Sequence, residues 1–204
     1  MRSWDFDLSK RCDKVRPVPG LILEKFSCGN EEIDSFFHYD AFLYENEMMS
    51  KTYSFIDRMN ENRIVSMFSL SNDSIKTNIL TNSVRNKLQR NIPNKKRKQS
   101  YPAVLIGQLG VDLSYRGLRI GHQVLEYIKK WMTHPENKTG CRFLVIDALN
   151  VGEILLSYEK NGFKYLYPSE ADERDARNII DVRLKSRSMY CDLREWIHEQ
   201  IASY

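Results

Sequence analysis

Residues 103–133 constrain this chain more than any other stretch. Residues 103–111 form an apolar run with Gly107 and Gly110 inside it. A glycine within a strand gives up packing, so it signals a bulge or a close backbone approach. A turn follows, then Arg116-Gly117-Leu118-Arg119-Ile120-Gly121. Residues 119–133 then place Ile120, Val124, Ile128 and Trp131 at helical spacing. Strand, glycine-bearing loop and helix N-terminus make an anion site, because unpaired N–H groups and the positive helix end point the same way. Gly117 and Gly121 let an anion come close, and Arg116 and Arg119 add charge. The loop is neither a P-loop nor a dinucleotide fingerprint, since it lacks Gly-Lys-Ser/Thr and has no G-x-G-x-x-G. A tight turn that merely caps a core helix is the alternative reading.

The flanking segments predict a mixed α/β sheet. Residues 1–19 are polar and read as a loosely held arm closed by Pro17 and Pro19. Residues 21–26 read as a strand. Cys28-Gly29-Asn30 is a turn, and Asn30 can cap a helix that carries Ile33, Phe36, Phe37, Phe42 and Leu43. Residues 51–56 and 63–70 read as an antiparallel hairpin, and 74–92 as a helix stopped by Pro93. Strands are expected at 143–146, 162–167 and 188–193, with helices at 152–160, 170–178 and 194–202. Helices alternating with strands after an antiparallel start indicate a central mixed sheet flanked by helices. Residues 20–204 are expected to form one domain, with a charged, exposed insertion near 168–187.

Composition narrows the classes. A chain of 204 residues with 42% hydrophobic and 28% charged residues can bury a core without disulfides or metals. No apolar run approaches the roughly 20 residues a membrane helix needs, and residues 1–10 have no signal-peptide core. A cytoplasmic protein without membrane association is the expectation. Cys12, Cys28, Cys141 and Cys191 form no C-x-x-C pair, so no metal site is expected. The net charge of +4 hides an asymmetry. Residues 84–98 hold seven Lys and Arg and no acid, leaving 24 basic against 27 acidic side chains elsewhere. Lys95, Lys96, Arg97 and Lys98 are therefore candidate nucleic-acid contacts, with a solvated loop as the alternative.

Arg116-Gly-Leu-Arg-Ile-Gly121 resembles the [QR]-x-x-G-x-[GA] pyrophosphate loop of the GCN5-related N-acetyltransferases, with Arg119 where the family has its middle glycine. Downstream, Tyr158-Glu-Lys-Asn-Gly-Phe163 is similar to the family's Y-E-K-x-G-F, in the expected order. Residues 26–29, 50–53 and 63–70 resemble the branch that includes the toxin acetyltransferases of toxin–antitoxin pairs.

The resemblance implies the acyl-CoA N-acyltransferase fold, with a mostly antiparallel sheet splayed at the CoA strand. It also implies transfer of an acetyl group from acetyl-CoA to a primary amine. Pyrophosphate would sit on the N–H groups of Arg116, Gly117, Leu118, Arg119, Ile120, Gly121 and His122. Pantetheine would pair with Leu109, Gly110 and Val111, and Gly110 would permit its approach. Tyr158 would protonate the departing thiolate, and Asn150 would hold CoA or orient Tyr158. Asp112, Asp147 and Glu153 are the carboxylates considered for a general base. The toxin branch implies the α-amine of an aminoacyl-tRNA as acceptor and an antitoxin as partner. A small amine or peptide acceptor, or an inactive CoA-binding regulatory module, are the alternatives.

Overall fold

The computed structural model describes residues 6–17, 25–90, 92, 99–180 and 182–202. Among the described residues seven strands, numbered along the chain, are hydrogen-bonded in the order β1-β2-β3-β4-β5-β7-β6. Contacts divide the chain into two compact units, Met1–Ser71 with Ile106–His134, and Asn72–Leu105 with Pro135–Tyr204. Strands β3 (Arg63–Lys76) and β4 (Ser100–Val111) run through both.

In the first unit, α1 (Leu8–Arg11) leads into β1 (Cys12–Val15), which pairs antiparallel with β2 (Lys51–Asp57). Residues 6–17 are thus packed, which corrects the reading of 1–19 as a loose arm. Phe6, Leu8 and Cys12 are buried. Asp7 caps α1 by accepting from the Ser9 and Lys10 N–H groups, and Arg11 bonds the buried Asp57. Strands β2 and β3 form the expected hairpin, with a bulge between Phe55 and Ile56. One hairpin face lays Tyr53, Phe55 and Phe68 against the helix α5 (Ile120–Thr133), where Tyr127 and Trp131 meet them edge-on at 5.0–5.1 Å. Lys14 lies 3.6 Å over the Trp131 ring, a cation–π contact that fastens the edge strand.

The helical run after Asn30 is α2 (Glu31–Ser35), a π-helical turn (Phe36–Asp40) and α3 (Ala41–Asn46). Asn30 caps it as expected, accepting from the Ile33 N–H at 3.0 Å. Phe37 and Ala41 are buried with Phe26, Cys28, Ile64 and Met67, while Phe42 and Leu43 face outward. The apolar face read from the sequence is corrected there, because the wide turn breaks the 3.6-residue phase. The strand expected at 21–26 falls mostly outside the described residues.

The second unit holds α4 (Asn82–Leu88), β5 (Phe143–Leu149), α6 (Gly152–Lys160), β6 (Lys164–Tyr165), α7 (Glu170–Arg177), β7 (Ser186–Asp192) and α8 (Leu193–Ala202). β4 and β5 pair in parallel over Ala103–Leu105 and Phe143–Val145, and β5 pairs antiparallel with β7 along its whole length. The helix expected over 74–92 is confined to α4, because Ser74–Lys76 continues β3. Val84 and Leu88 of α4 join Tyr101, Phe143, Val145 and Tyr190 in the core. Of the basic segment, Arg85 is spent on the Thr77 and Leu80 carbonyls. Lys95, Lys96, Arg97 and Lys98 lie outside the described residues.

The charged stretch 168–187 is mostly exposed, as expected, but Glu173, Leu184 and Arg187 turn inward. Glu173 is fully buried and accepts from Arg187 Nε at 2.6 Å, Arg177 at 2.9 Å and the Ser188 N–H at 2.8 Å. With two guanidinium partners and a backbone donor, its carboxylate loses none of the hydrogen bonds that burial would otherwise cost. Ser169 and Asp172 close a capping box at the start of α7.

Candidate active site

The loop after β4 is built by the fold of the first unit. Asp112, buried, caps the short 3-10 turn Leu113–Tyr115 by accepting from the Ser114 N–H at 3.0 Å, and it also takes Arg63 at 3.2 Å. Those bonds make Asp112 a structural carboxylate. Arg116 extends its guanidinium back to the Cys28 carbonyl at 2.6 Å. A Cβ at Gly29 would stand 3.0 Å from that guanidinium nitrogen, so the Cys28-Gly29 turn is shaped around Arg116. The arginine that the sequence offers as added charge is therefore also a tie.

Beyond Arg116 the chain turns twice into the left-handed region, at Gly117 (φ 79°) and Arg119 (φ 57°). Arg119 is the N-cap of α5 and its side chain makes no capping bond. The N-cap side chain thus takes none of the opening N–H groups of α5, a helix start of the kind that can receive an anion. A Cβ at Gly117 or Gly121 would meet nothing within 4 Å, so space lies open over both. Behind the loop, Gln123 accepts from the Leu8 N–H at 2.7 Å and donates to the Phe6 carbonyl at 2.9 Å. His122 lines a cavity of about 530 Å³ with Leu8, Cys12, Gln123 and Glu126.

The left-handed φ explains why glycine suits position 119, since an L side chain there costs roughly 1 kcal/mol. Arg119→Gly is therefore expected to raise stability by up to about 1 kcal/mol, a gain of roughly 2–4 °C in Tm. The same variant loses a cation beside the loop and should bind a phosphate ligand more weakly. Thermal melts with and without ligand check both signs.

On β4, the Gln108 N–H is taken by Ser69 Oγ at 3.0 Å, and a Cβ at Gly107 would lie 3.0 Å from that oxygen. A Cβ at Gly110 would lie 3.0 Å from Phe26 Cζ and 3.1 Å from Cys28 Cβ. Gly110 is thus required by packing within the protein, a use of the glycine different from ligand approach. Leu109 and Val111 are half-buried.

Tyr158 stands in the last turn of α6 in the second unit, and the local sequence fixes it there. The Phe163 N–H donates to the Tyr158 carbonyl at 3.0 Å and the Gly162 N–H to the Glu159 carbonyl at 2.9 Å. Gly162 takes φ 78°, and the Tyr158 and Phe163 rings meet edge-on at 5.5 Å. This is a Schellman cap with its hydrophobic contact. Burial raises the Tyr158 phenol well above its ordinary pKa of about 10, so it stays protonated across the neutral range.

No hydrogen bond joins Asn150 to Tyr158 among the described residues: its Nδ2 donates to Glu170 at 3.1 Å and to the Leu184 carbonyl at 2.9 Å, which ties it to residues 183–185. Asp147 accepts from Arg177 and Ser188 Oγ, each at 2.8 Å. Glu153 is exposed. All four cysteines are free thiols. Burial pushes Cys12 up to about 12 and Cys28 up to about 11, so neither is a nucleophile near pH 7. Among the described residues no cluster of His, Cys, Asp and Glu could hold a metal, and no helix is long and apolar enough to cross a membrane. The sequence carries no local signal for the Arg116–Cys28 carbonyl bond or the Ser69–Gln108 bond.

No protein-family model matches the sequence, and no curated protein does. Solved structures do match in fold. AtaT complexed with acetyl-methionyl-tRNAfMet is 15% identical, with a TM-score of 0.69, over 92% of this chain and 98% of that one. A tyrosine-to-phenylalanine mutant of KacT is 18% identical, with a TM-score of 0.68, over 94% and 99%. AtaTR bound with AcCoA is 15% identical, with a TM-score of 0.64, over 91% and 96%. The chain has the acyl-CoA N-acyltransferase fold of the GCN5-related acetyltransferases, a mostly antiparallel sheet flanked by helices.

Proposed function

We propose that this chain is an acetyl-CoA-dependent N-acetyltransferase whose acceptor is the α-amine of an aminoacyl-tRNA. The observation that carries the CoA part is the loop Arg116–Gly121. Left-handed backbone at Gly117 and Arg119 opens a helix start that has no side-chain cap, beneath space that no side chain fills. A pyrophosphate fits such a start because its charge meets both the N–H groups and the helix dipole. The likeness to AtaTR bound with AcCoA supports the same ligand.

In the reaction the amine nitrogen attacks the thioester carbonyl, the C–S bond breaks and the CoA thiolate leaves. Tyr158, held protonated by burial, gives the thiolate its proton. The attacking amine loses a proton to solvent or arrives neutral, which an α-amine with a pKa near 8 does to a useful extent.

The acceptor rests on the likeness to AtaT complexed with acetyl-methionyl-tRNAfMet and on the cations at residues 84–98 other than Arg85. An antitoxin is the partner that the resemblance to the toxin branch implies. The test incubates the protein with acetyl-CoA and aminoacylated tRNA and follows acetylation of the amino acid by mass. Phosphate contacts release counterions, so tRNA binding should weaken steeply with salt, and neutralising Lys95, Lys96, Arg97 and Lys98 together should flatten that slope. Acetylation of a small amine or peptide with no transfer to charged tRNA would move the acceptor to that class. Failure to bind acetyl-CoA would end the whole reading.

A further inference from the structure

The helical run 31–46 and the two residues after its C-terminal turn leave large apolar side chains in solvent. Tyr39 is 74% exposed, Leu43 58%, Met48 92% and Met49 64%, with Phe42 beside them at 49%. Tyr39 lies in the π-helical turn and Phe42 and Leu43 follow it in the first turn of α3, all three exposed. Between Asn30 and Ser50 the sequence has six acids and no Lys or Arg. Asp34 is used locally by Ser27 and the Cys28 N–H, and Glu45 by Arg16. Glu31, Glu32, Asp40 and Glu47 are exposed and make no ion pair among the described residues. A concave site of about 470 Å³, lined by Gly29, Glu31, Asp34, Ser35, His38 and Tyr39, adjoins the face.

We propose that this face docks a protein partner through a basic amphipathic helix. Exposed apolar side chains clustered within about ten residues fit the apolar stripe of such a helix, and adaptable methionines suit a surface that takes a foreign side chain. The exposed carboxylates fit its Lys and Arg residues, and one of them, Glu31, lines the concave site. Charge decides against other occupants. Nucleic acid and an anionic membrane surface are repelled by four exposed carboxylates, and a second copy of the same face would set acid against acid.

The test uses the whole chain and a designed peptide of about 18 residues, with Leu on one helical face and Lys on the other. Its counterpart carries Glu in place of Lys. Binding is read by fluorescence anisotropy of the labelled peptide at low and high salt. The basic peptide should bind, the acidic one should not, and salt should weaken the complex. Tyr39→Ser, Leu43→Ser and Met48→Ser combined should weaken binding at least about tenfold. Glu31→Gln, Glu32→Gln, Asp40→Asn and Glu47→Gln combined should do the same and remove the salt response. All seven side chains are exposed, so both variants should keep the parent's circular dichroism and acetyl-CoA affinity. Equal binding of the two peptides, or parent-like binding by either variant, overturns the proposal. So does sedimentation showing that the parent self-associates through this face while the serine variant stays monomeric.

Discussion

Tyr158→Phe is expected to lower turnover by roughly 10²–10⁴-fold, the usual range for a lost general acid, with acetyl-CoA affinity little changed. The substitution removes one oxygen and keeps the ring. The edge-on contact with Phe163 and the Schellman cap at Gly162 do not depend on that oxygen. Any large loss therefore belongs to the hydroxyl. The pH profile gives a second reading of the same group. Burial raises the Tyr158 pKa above 10, so the protonated form needed for donation persists through pH 9. The acceptor amine, with a pKa near 8, must lose its proton to attack. The rate should rise with pH through about 8 and then hold level to about 10. Single-turnover rates of parent and variant check both points. A variant with parent-like chemistry, or a parent rate that falls between pH 8 and 9, would leave Tyr158 as a packing residue.

What the sequence discloses here depends on how local the cause is. The pyrophosphate-type loop is legible because strand, glycine turn and helix start lie within about 20 consecutive residues. The motif ending in Gly162-Phe163 is legible for the same reason, and the structure gives it a cause. The glycine permits the left-handed turn and the phenylalanine packs back on Tyr158, so the pair stops the helix within one turn of that tyrosine. Errors arise where a distant partner decides. Residues 6–17 read as polar, yet Cys12 and Leu8 are buried and Lys14 sits on Trp131, more than a hundred positions away. Glu173 reads as a solvated charge, but Arg187 and the Ser188 N–H bring it inside. Phe42 and Leu43 read as core because no periodicity count foresees a π-helical turn at 36–40. Gly110 shows the subtler case. Its glycine is legible as a close approach, but the atoms that approach are those of Phe26 and Cys28.

Gly121→Asp is expected to move stability and ligand affinity in opposite directions. Gly121 lies in the first turn of α5, and a side chain there would meet nothing within 4 Å. Replacing glycine by aspartate in a helix gains only about 0.1–0.3 kcal/mol of propensity, but a carboxylate near the helix start adds about 0.3–1 kcal/mol through the dipole. The variant should thus fold and melt higher than the parent. The same carboxylate takes the place of the anion that the N–H groups would otherwise bind. A pyrophosphate would then face a fixed negative charge, and acetyl-CoA affinity should fall ~100-fold or more, about 2.7 kcal/mol. Gly117→Asp should lose affinity as well, but its positive φ adds strain, so its stability should fall. Gly117→Ala separates the two effects there, because it carries the strain without the charge. Calorimetric titration with acetyl-CoA, alongside thermal melts, measures every arm. A Gly121→Asp protein that melts higher and still binds acetyl-CoA as the parent does would show that the helix start is a capping device alone. The phosphate assignment would then have to leave the Arg116–Gly121 loop.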